Sequence, residues 1–256
     1  MPPIRVPSEA DFADLAARLP HTLHFSSRPS TTAILLLFHG LGDTHASFSK
    51  FASSINLPNV LAISVRAPFP VPLAFAPDDT SGAGSFHWGD DILVDPSSGG
   101  IDPDPGFARA VGIVWDELVD AVLLRACGWS TRDIMLFGFG QGGSFALALA
   151  RHAAKLAATA SKDGQAQLMQ QVDRFKGVIS LGGQIPLSAV GSGTADKATS
   201  SVLLVQLDKD AENAVKRHFA QVQTVRWKRP QVDMPRNRDE MLPIMQFFAQ
   251  SLNQGW

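Results

Sequence analysis

Leu136-Phe137-Gly138-Phe139-Gly140-Gln141-Gly142-Gly143 closes an apolar run and opens a segment, residues 142–158, that is dense in Ala and Leu. The change of pattern marks a strand turning directly into a helix. Glycines at 138, 140, 142 and 143 suit such a junction, because a sharp elbow needs a strained or positive φ and small residues let the helix pack close to the strand. Taken alone, the turn also has a plain reading, as a structural connection or an anion site at a helix N-terminus.

Outward from the elbow, short β-rich runs alternate with longer helical patterns. Strands are expected over residues 32–38, 60–66, 133–139, 177–181, 201–206 and 222–228, several of them apolar nearly throughout, as strands covered on both faces are. Residues 106–124 place Phe107, Val111, Val114, Trp115, Leu118 and Val122 at helical spacing. A last helix is expected from close to Leu242, because Pro243 is best tolerated in a first turn. Ser8 and Asp11 suit the cap of a short opening helix over 11–19. This order predicts an α/β fold, a mainly parallel central sheet with helices on both faces, in a single domain over residues 1–256. The Pro/Gly-rich stretch 67–106 reads as a loop excursion over one end of the sheet, and 162–171 and 191–200 as exposed connections.

Composition narrows the partners. With 22 Lys+Arg against 24 Asp+Glu and no block of like charge, neither nucleic acid nor a polybasic membrane contact is expected. The longest apolar runs, 33–38 and 145–150, are far shorter than the roughly 18 residues of a membrane span, so none is expected. The N-terminal residues lack an apolar signal core, and the single cysteine, Cys127, permits no internal disulfide; together these suggest a cytoplasmic protein. His87, Asp90 and Asp91 share one loop without a distant fourth ligand, so neither a metal nor another cofactor is expected.

A second segment, Phe38-His39-Gly40-Leu41-Gly42-Asp43, follows an early strand. The pair resembles the acyl-protein thioesterase and phospholipase/carboxylesterase-like branch of the α/β-hydrolases, whose members carry H-G-L-G-D there and G-F-S-Q-G-G at the elbow. Residues 39–43 match intact; the elbow has one exchange, Gly140 in place of the serine. The resemblance implies an α/β-hydrolase fold and an acyl or ester-like substrate, an acylated protein among them. It also implies that His39, Gly40, Leu41, Gly42 and Gln141 form the oxyanion segments, with the N–H groups of Leu41 and Gln141 as donors. His87-Trp88-Gly89-Asp90 is similar to a tryptophan segment that lies near the active-site mouth in that family; it reads equally as an aromatic lip or as a packed loop anchor.

Three departures from the pattern bear on chemistry. Gly140 offers no nucleophile. Asp210 matches the family acid better than Asp208, yet the usual Val-Pro is missing and either residue suits an N-cap. The loop 229–238, where the triad histidine belongs, contains none; Asp233 stands near the vacated place, to hold water or a cationic ligand or to shape a turn, and His218 lies too early, in a helix. Ser144 is expected to point away from the elbow tip, and Cys127 to be a small buried hydrophobe. The residues thus predict weak or absent serine-hydrolase activity. The alternatives are a non-catalytic pocket for an acyl ligand, a small carbonyl compound or a protein partner, or other chemistry using Asp233, His39 or His87.

Overall fold

The computed structural model describes residues 4–26, 30–72, 75, 84–94, 100–102, 104–162, 171–190 and 196–253. In chain order these form β1 (His21–His24), β2 (Ala33–Phe38), α1 (His45–Ile55), β3 (Val60–Val65), β4 (Phe69–Pro70) and β5 (Phe86–His87). There follow α2 (Ala108–Ile113), prolonged by a π-helical stretch Val114–Ala126, then β6 (Ile134–Phe139), α3 (Gln141–Lys162), β7 (Gly177–Leu181), β8 (Ala198–Val205), α4 (Lys209–His218), β9 (Phe219–Val225) and α5 (Arg238–Asn253).

The main sheet has seven strands in the order β1-β3-β2-β6-β7-β8-β9. All neighbours pair in parallel except β1, which runs antiparallel along β3. Successive side chains of a strand face opposite ways. Ile34, Leu36 and Phe38 therefore join Val114, Leu118 and Phe145 in one core, while Leu35 and Leu37 join Phe48, Phe247 and Phe248 in the other. Burial on both faces is what makes β2 apolar from end to end, and β3 and β7 apolar but for Ser64 and Ser180.

The six expected strands are present within three residues of their expected bounds. Three expectations need correction. The last helix starts at Arg238 rather than near Leu242, because Asn237 caps it by accepting the Glu240 N–H at 3.0 Å; Pro243 is then the sixth residue, inside the helix. Ala198 and Ser200 are buried at the start of β8 rather than exposed in a connection, and the Ser200 hydroxyl accepts the Phe175 N–H at 2.9 Å. The opening segment is a 3-10 turn, Glu9–Phe12, followed by further turns rather than a helix over 11–19, although the Asp11 carboxylate does accept both the Ser8 N–H and its hydroxyl. Much of 162–171 and half of 191–200 lie outside the described residues.

Charges inside the fold are matched locally. The buried Arg151 guanidinium donates to the carbonyls of Asp196 and His218, the latter closing α4, where a helix presents its negative end. Glu212 on α4 accepts from Lys216 and from Arg226 just beyond β9, both at 2.5 Å, and these cations hold its carboxyl down from 4.5 to about 2. A carboxyl depressed on folding adds stability above its ordinary range and loses it as pH falls through the folded value. The melting-temperature gap between the parent and Glu212→Gln is accordingly expected to be constant near neutrality and to close between pH 4.5 and about 2. A gap unchanged down to pH 2 would show that the ion pairs contribute nothing. Among the described residues no helix is long and apolar enough to cross a membrane.

Candidate functional site

The elbow is built by register. Phe38 pairs with Gly138, which sets the ends of β2 and β6 side by side and brings the turn after each into contact. Gly142, in the first turn of α3, lies against the Phe38 and His39 carbonyls so closely that a Cβ there would collide with both oxygens. Gly140 has φ +54°, the left-handed region, and its N–H is held by the Leu181 carbonyl at 2.8 Å. A Cβ on Gly140 would meet only the Gly40 Cα, at 4.0 Å. The strained turn is therefore intact while the space above it is open.

That space belongs to a cavity of about 440 Å³. Leu41, Gly140 and Gln141 line its elbow side, Gly182 and Gln206 come from the C-terminal ends of β7 and β8, Ile101 and Asp102 from the long excursion, and Asp208 and Ala211 from the start of α4. Ligand clefts in open parallel sheets form at these strand ends, a rule that would have found Gly182 and Gln206. The sequence reading missed both, together with Ile101, Asp102 and Gln184.

The singled-out residues divide between the cavity and its supports. Leu41 and Gln141 are on the cavity wall, and the Gln141 N–H opens α3, where it has no intrahelical acceptor. Gly42, at φ +80°, donates its N–H to the Phe86 carbonyl at 2.9 Å, which fixes the 39–43 turn to β5. His39 is fully buried: its Nδ1 lies 2.7 Å from the Gly40 carbonyl and its Nε2 accepts the Ala67 N–H at 2.9 Å. Both ring nitrogens are thus engaged in a neutral tautomer, and burial pushes its pKa down to about 4. Trp88 is an anchor rather than a lip. It is wholly buried, its Nε1–H donates to the His39 carbonyl and its backbone N–H to the Gln141 side chain, each at 2.8 Å. His87 is buried against Phe69, outside the cavity lining.

The acid and base positions differ from the expected arrangement. Asp208, not Asp210, faces the cavity, and it also caps α4 by accepting the Asp210 N–H at 2.8 Å; Asp210 sits in the first turn of α4, off the cavity wall. None of the seven histidines lines the cavity. From the 229–238 loop, the Val232 side chain packs on Gly182, and none of the loop's residues is among those that line the cavity in the described structure. Asp233 accepts its neighbour's Met234 N–H at 2.8 Å and pairs with Arg236, contacts that hold its carboxyl below the usual range and leave it shaping the loop. Ser144 does border the cavity, contrary to expectation, because its hydroxyl accepts the Gln184 N–H at 3.0 Å on the wall. Cys127 is buried, as expected, and burial raises its pKa. Asp90 accepts the N–H groups of Ala108 and Arg109 at the start of α2, and among the described residues no three His, Cys, Asp or Glu side chains stand ready for a metal.

Residues 25–224 match the Phospholipase/Carboxylesterase family. The chain belongs to that family. Its fold is the α/β-hydrolase fold, shared with an acyl-protein thioesterase 2 of Zea mays (TM-score 0.61, 17% identity, 91% of this chain and 99% of that one). A Bacillus cereus carboxylesterase is similar in the same way (TM-score 0.60, 13% identity, 95% and 100%). In sequence, this member of the family is 34% identical over 114 residues to an uncharacterized hydrolase of Schizosaccharomyces pombe, covering 44% of each chain. It is 32% identical over 128 residues to one of Mycosarcoma maydis, covering 48% of this chain and 44% of the other. The matched regions thus span under half the length of these two relatives.

Proposed function

We propose that this phospholipase/carboxylesterase family member binds an acyl or small carbonyl ligand in the elbow cavity without forming an acyl-enzyme. One observation carries the reading: at the elbow, a φ of +54° and an open space above it persist at a residue, Gly140, that has no side chain. Acyl transfer by the family route needs a nucleophile and a base that takes its proton. Among the described residues the cavity wall carries no histidine, its titratable groups are Asp208 and Asp102, and its one hydroxyl, on Ser144, is engaged by the Gln184 N–H. The N–H groups of Leu41 and Gln141 remain as donors for a ligand carbonyl. Other chemistry finds no support at His39, whose nitrogens are both engaged, or at Asp233, which is paired within its loop. We place the protein in the cytoplasm on the same ground as above, its single cysteine.

The test uses two probes. A fluorophosphonate labels an activated serine; the parent is expected to stay unlabelled, and Gly140→Ser to be labelled at most at trace level because no histidine reaches the new hydroxyl. Calorimetric titration with an acyl amide, an ester analogue that resists hydrolysis, is expected to give saturable binding that Leu41→Trp abolishes by filling the mouth. Labelling of the parent overturns the reading, as does strong labelling of Gly140→Ser. Turnover of a thioester by unlabelled parent would also overturn it, in favour of chemistry without serine.

A further inference from the structure

A second cavity, of about 300 Å³, lies between α2 and α3. It continues down the helix face that the elbow cavity begins. Gln141 and Ser144 border the elbow, and Ala148, His152 and Lys155, each three or four residues further along α3, border the second space. Its remaining apolar walls are Phe107 and Val111 at the start of α2 and Ala189 beyond β7.

Two bases stand on this otherwise apolar lining. Lys155 Nζ donates to the Ala189 carbonyl at 2.6 Å, which holds the ammonium at the cavity wall and engages one of its three hydrogens. The His152 ring meets Trp115 edge-on, with centroids 5.2 Å apart. Among the described residues its two nitrogens have no hydrogen-bond partner, and neither is shut away in the core.

No acid is placed to pair with either base. Among the described residues Lys155 and His152 make no ion pair. Asp90, the one carboxylate on the wall, accepts the Ala108 and Arg109 N–H groups at 3.0 and 2.8 Å. Asp104 is taken by Ser188, through its N–H at 3.1 Å and its hydroxyl at 2.5 Å. Burial holds the His152 pKa below its ordinary value, against the pull of Asp116 and with the push of Lys155. Burial and then Arg151 lower that of Lys155. An anion set between the two bases relieves both.

We infer that this cavity is a second ligand site, which takes a small monocarboxylate with a compact apolar body. The carboxylate accepts from the free Lys155 hydrogens and from a His152 ring N–H, and the body fills the space along Phe107, Val111 and Ala148. A single negative charge fits better than a dianion, because Asp90 and Asp104 stand close by.

Benzoate is the probe, followed through the His152 ring resonance in 1H–13C spectra, which His152→Gln identifies by its loss. Benzoate is expected to shift that resonance saturably, and benzamide, the uncharged isostere, to bind at least about tenfold more weakly. Lys155→Met is expected to weaken benzoate to a similar degree, whereas Lys155→Arg, which keeps the charge, stays within about threefold of the parent. Lys50→Gln, a charge change on α1 away from the cavity, and Leu41→Trp, which fills the elbow mouth, are both expected to leave benzoate affinity unchanged. The inference is overturned by the absence of a saturable shift, by equal affinity for benzamide, or by equal affinity in parent and Lys155→Met. The same shift from chloride at matched ionic strength, tighter binding of inorganic phosphate, or loss of benzoate binding in Leu41→Trp also overturns it. Because the elbow is blocked in Leu41→Trp, failure here and failure of the acyl-ligand reading are separate results.

Discussion

Replacing Gly142 by alanine is expected to lower the free energy of unfolding by more than about 4 kcal/mol, or to prevent folding outright. The added methyl would occupy the space of the Phe38 and His39 carbonyl oxygens and the Phe38 carbonyl carbon. All three are backbone atoms, so no flexible side chain can give way. They end β2, which is paired on one side to β3 and on the other to β6 and is buried along its whole length. Moving that strand end by the needed distance breaks the Phe38–Gly138 register on which the elbow depends. Gly112 provides the contrast, because a Cβ there meets nothing within 4 Å and the residue lies inside α2. Gly112→Ala is expected to be neutral or to stabilise by up to about 1 kcal/mol through helix propensity alone. Urea denaturation followed by circular dichroism measures both. A Gly142→Ala midpoint within error of the parent would mean that α3 and β2 do not approach as closely as the structure has them.

What the sequence revealed follows from how each element is stabilised. The inner strands β2, β3, β6 and β7 were legible because double-sided burial writes a nearly continuous apolar run, as in Ala33–Phe38 and, but for Ser64, Val60–Val65. The antiparallel edge strand His21–His24 was not, because all four residues are only half-buried and two are histidines. Helix α1 carries six serines or alanines among its eleven residues, His45-Ala46-Ser47-Phe48-Ser49-Lys50-Phe51-Ala52-Ser53-Ser54-Ile55, and is set by the Thr44 cap more than by periodicity. At the site, the elbow and the 39–43 turn were legible because glycine is demanded by backbone contacts that are local or in register. Ile101 and Asp102 were hidden, since their place on the cavity wall is set by how a long excursion folds back. That Asp208 rather than Asp210 borders the cavity follows from capping, which puts the residue before the first turn at the helix mouth. Nor does sequence show that both nitrogens of His39 are engaged in holding Gly40 and Ala67.

Trp88 tests how far the elbow depends on its anchor. The indole stacks on Phe145 at 4.3 Å between centroids and meets Phe38 edge-on at 5.2 Å, all three rings buried where β2 and α3 approach. Truncation to alanine leaves a void that rigid neighbours cannot fill, so Trp88→Ala is expected to cost about 3–5 kcal/mol. Trp88→Phe separates packing from hydrogen bonding. A phenyl ring keeps most of the stack but leaves the buried His39 carbonyl without the Nε1–H donor it has at 2.8 Å, a loss of about 1–3 kcal/mol. The backbone link from Trp88 N–H to the Gln141 side chain is untouched by either change in side-chain chemistry, yet only the phenyl variant keeps residue 88 in place to make it. Native-state hydrogen exchange should therefore resolve the two variants by region. In Trp88→Phe the amides of Leu41 and Gly42 should exchange faster while those of β6 follow global stability; in Trp88→Ala the Gln141 amide should join them, and affinity for an acyl amide should fall with it. If all amides in both variants change in step with global stability, Trp88 is a packing residue alone, and the donors at Leu41 and Gln141 owe their position to the glycine contacts of the elbow.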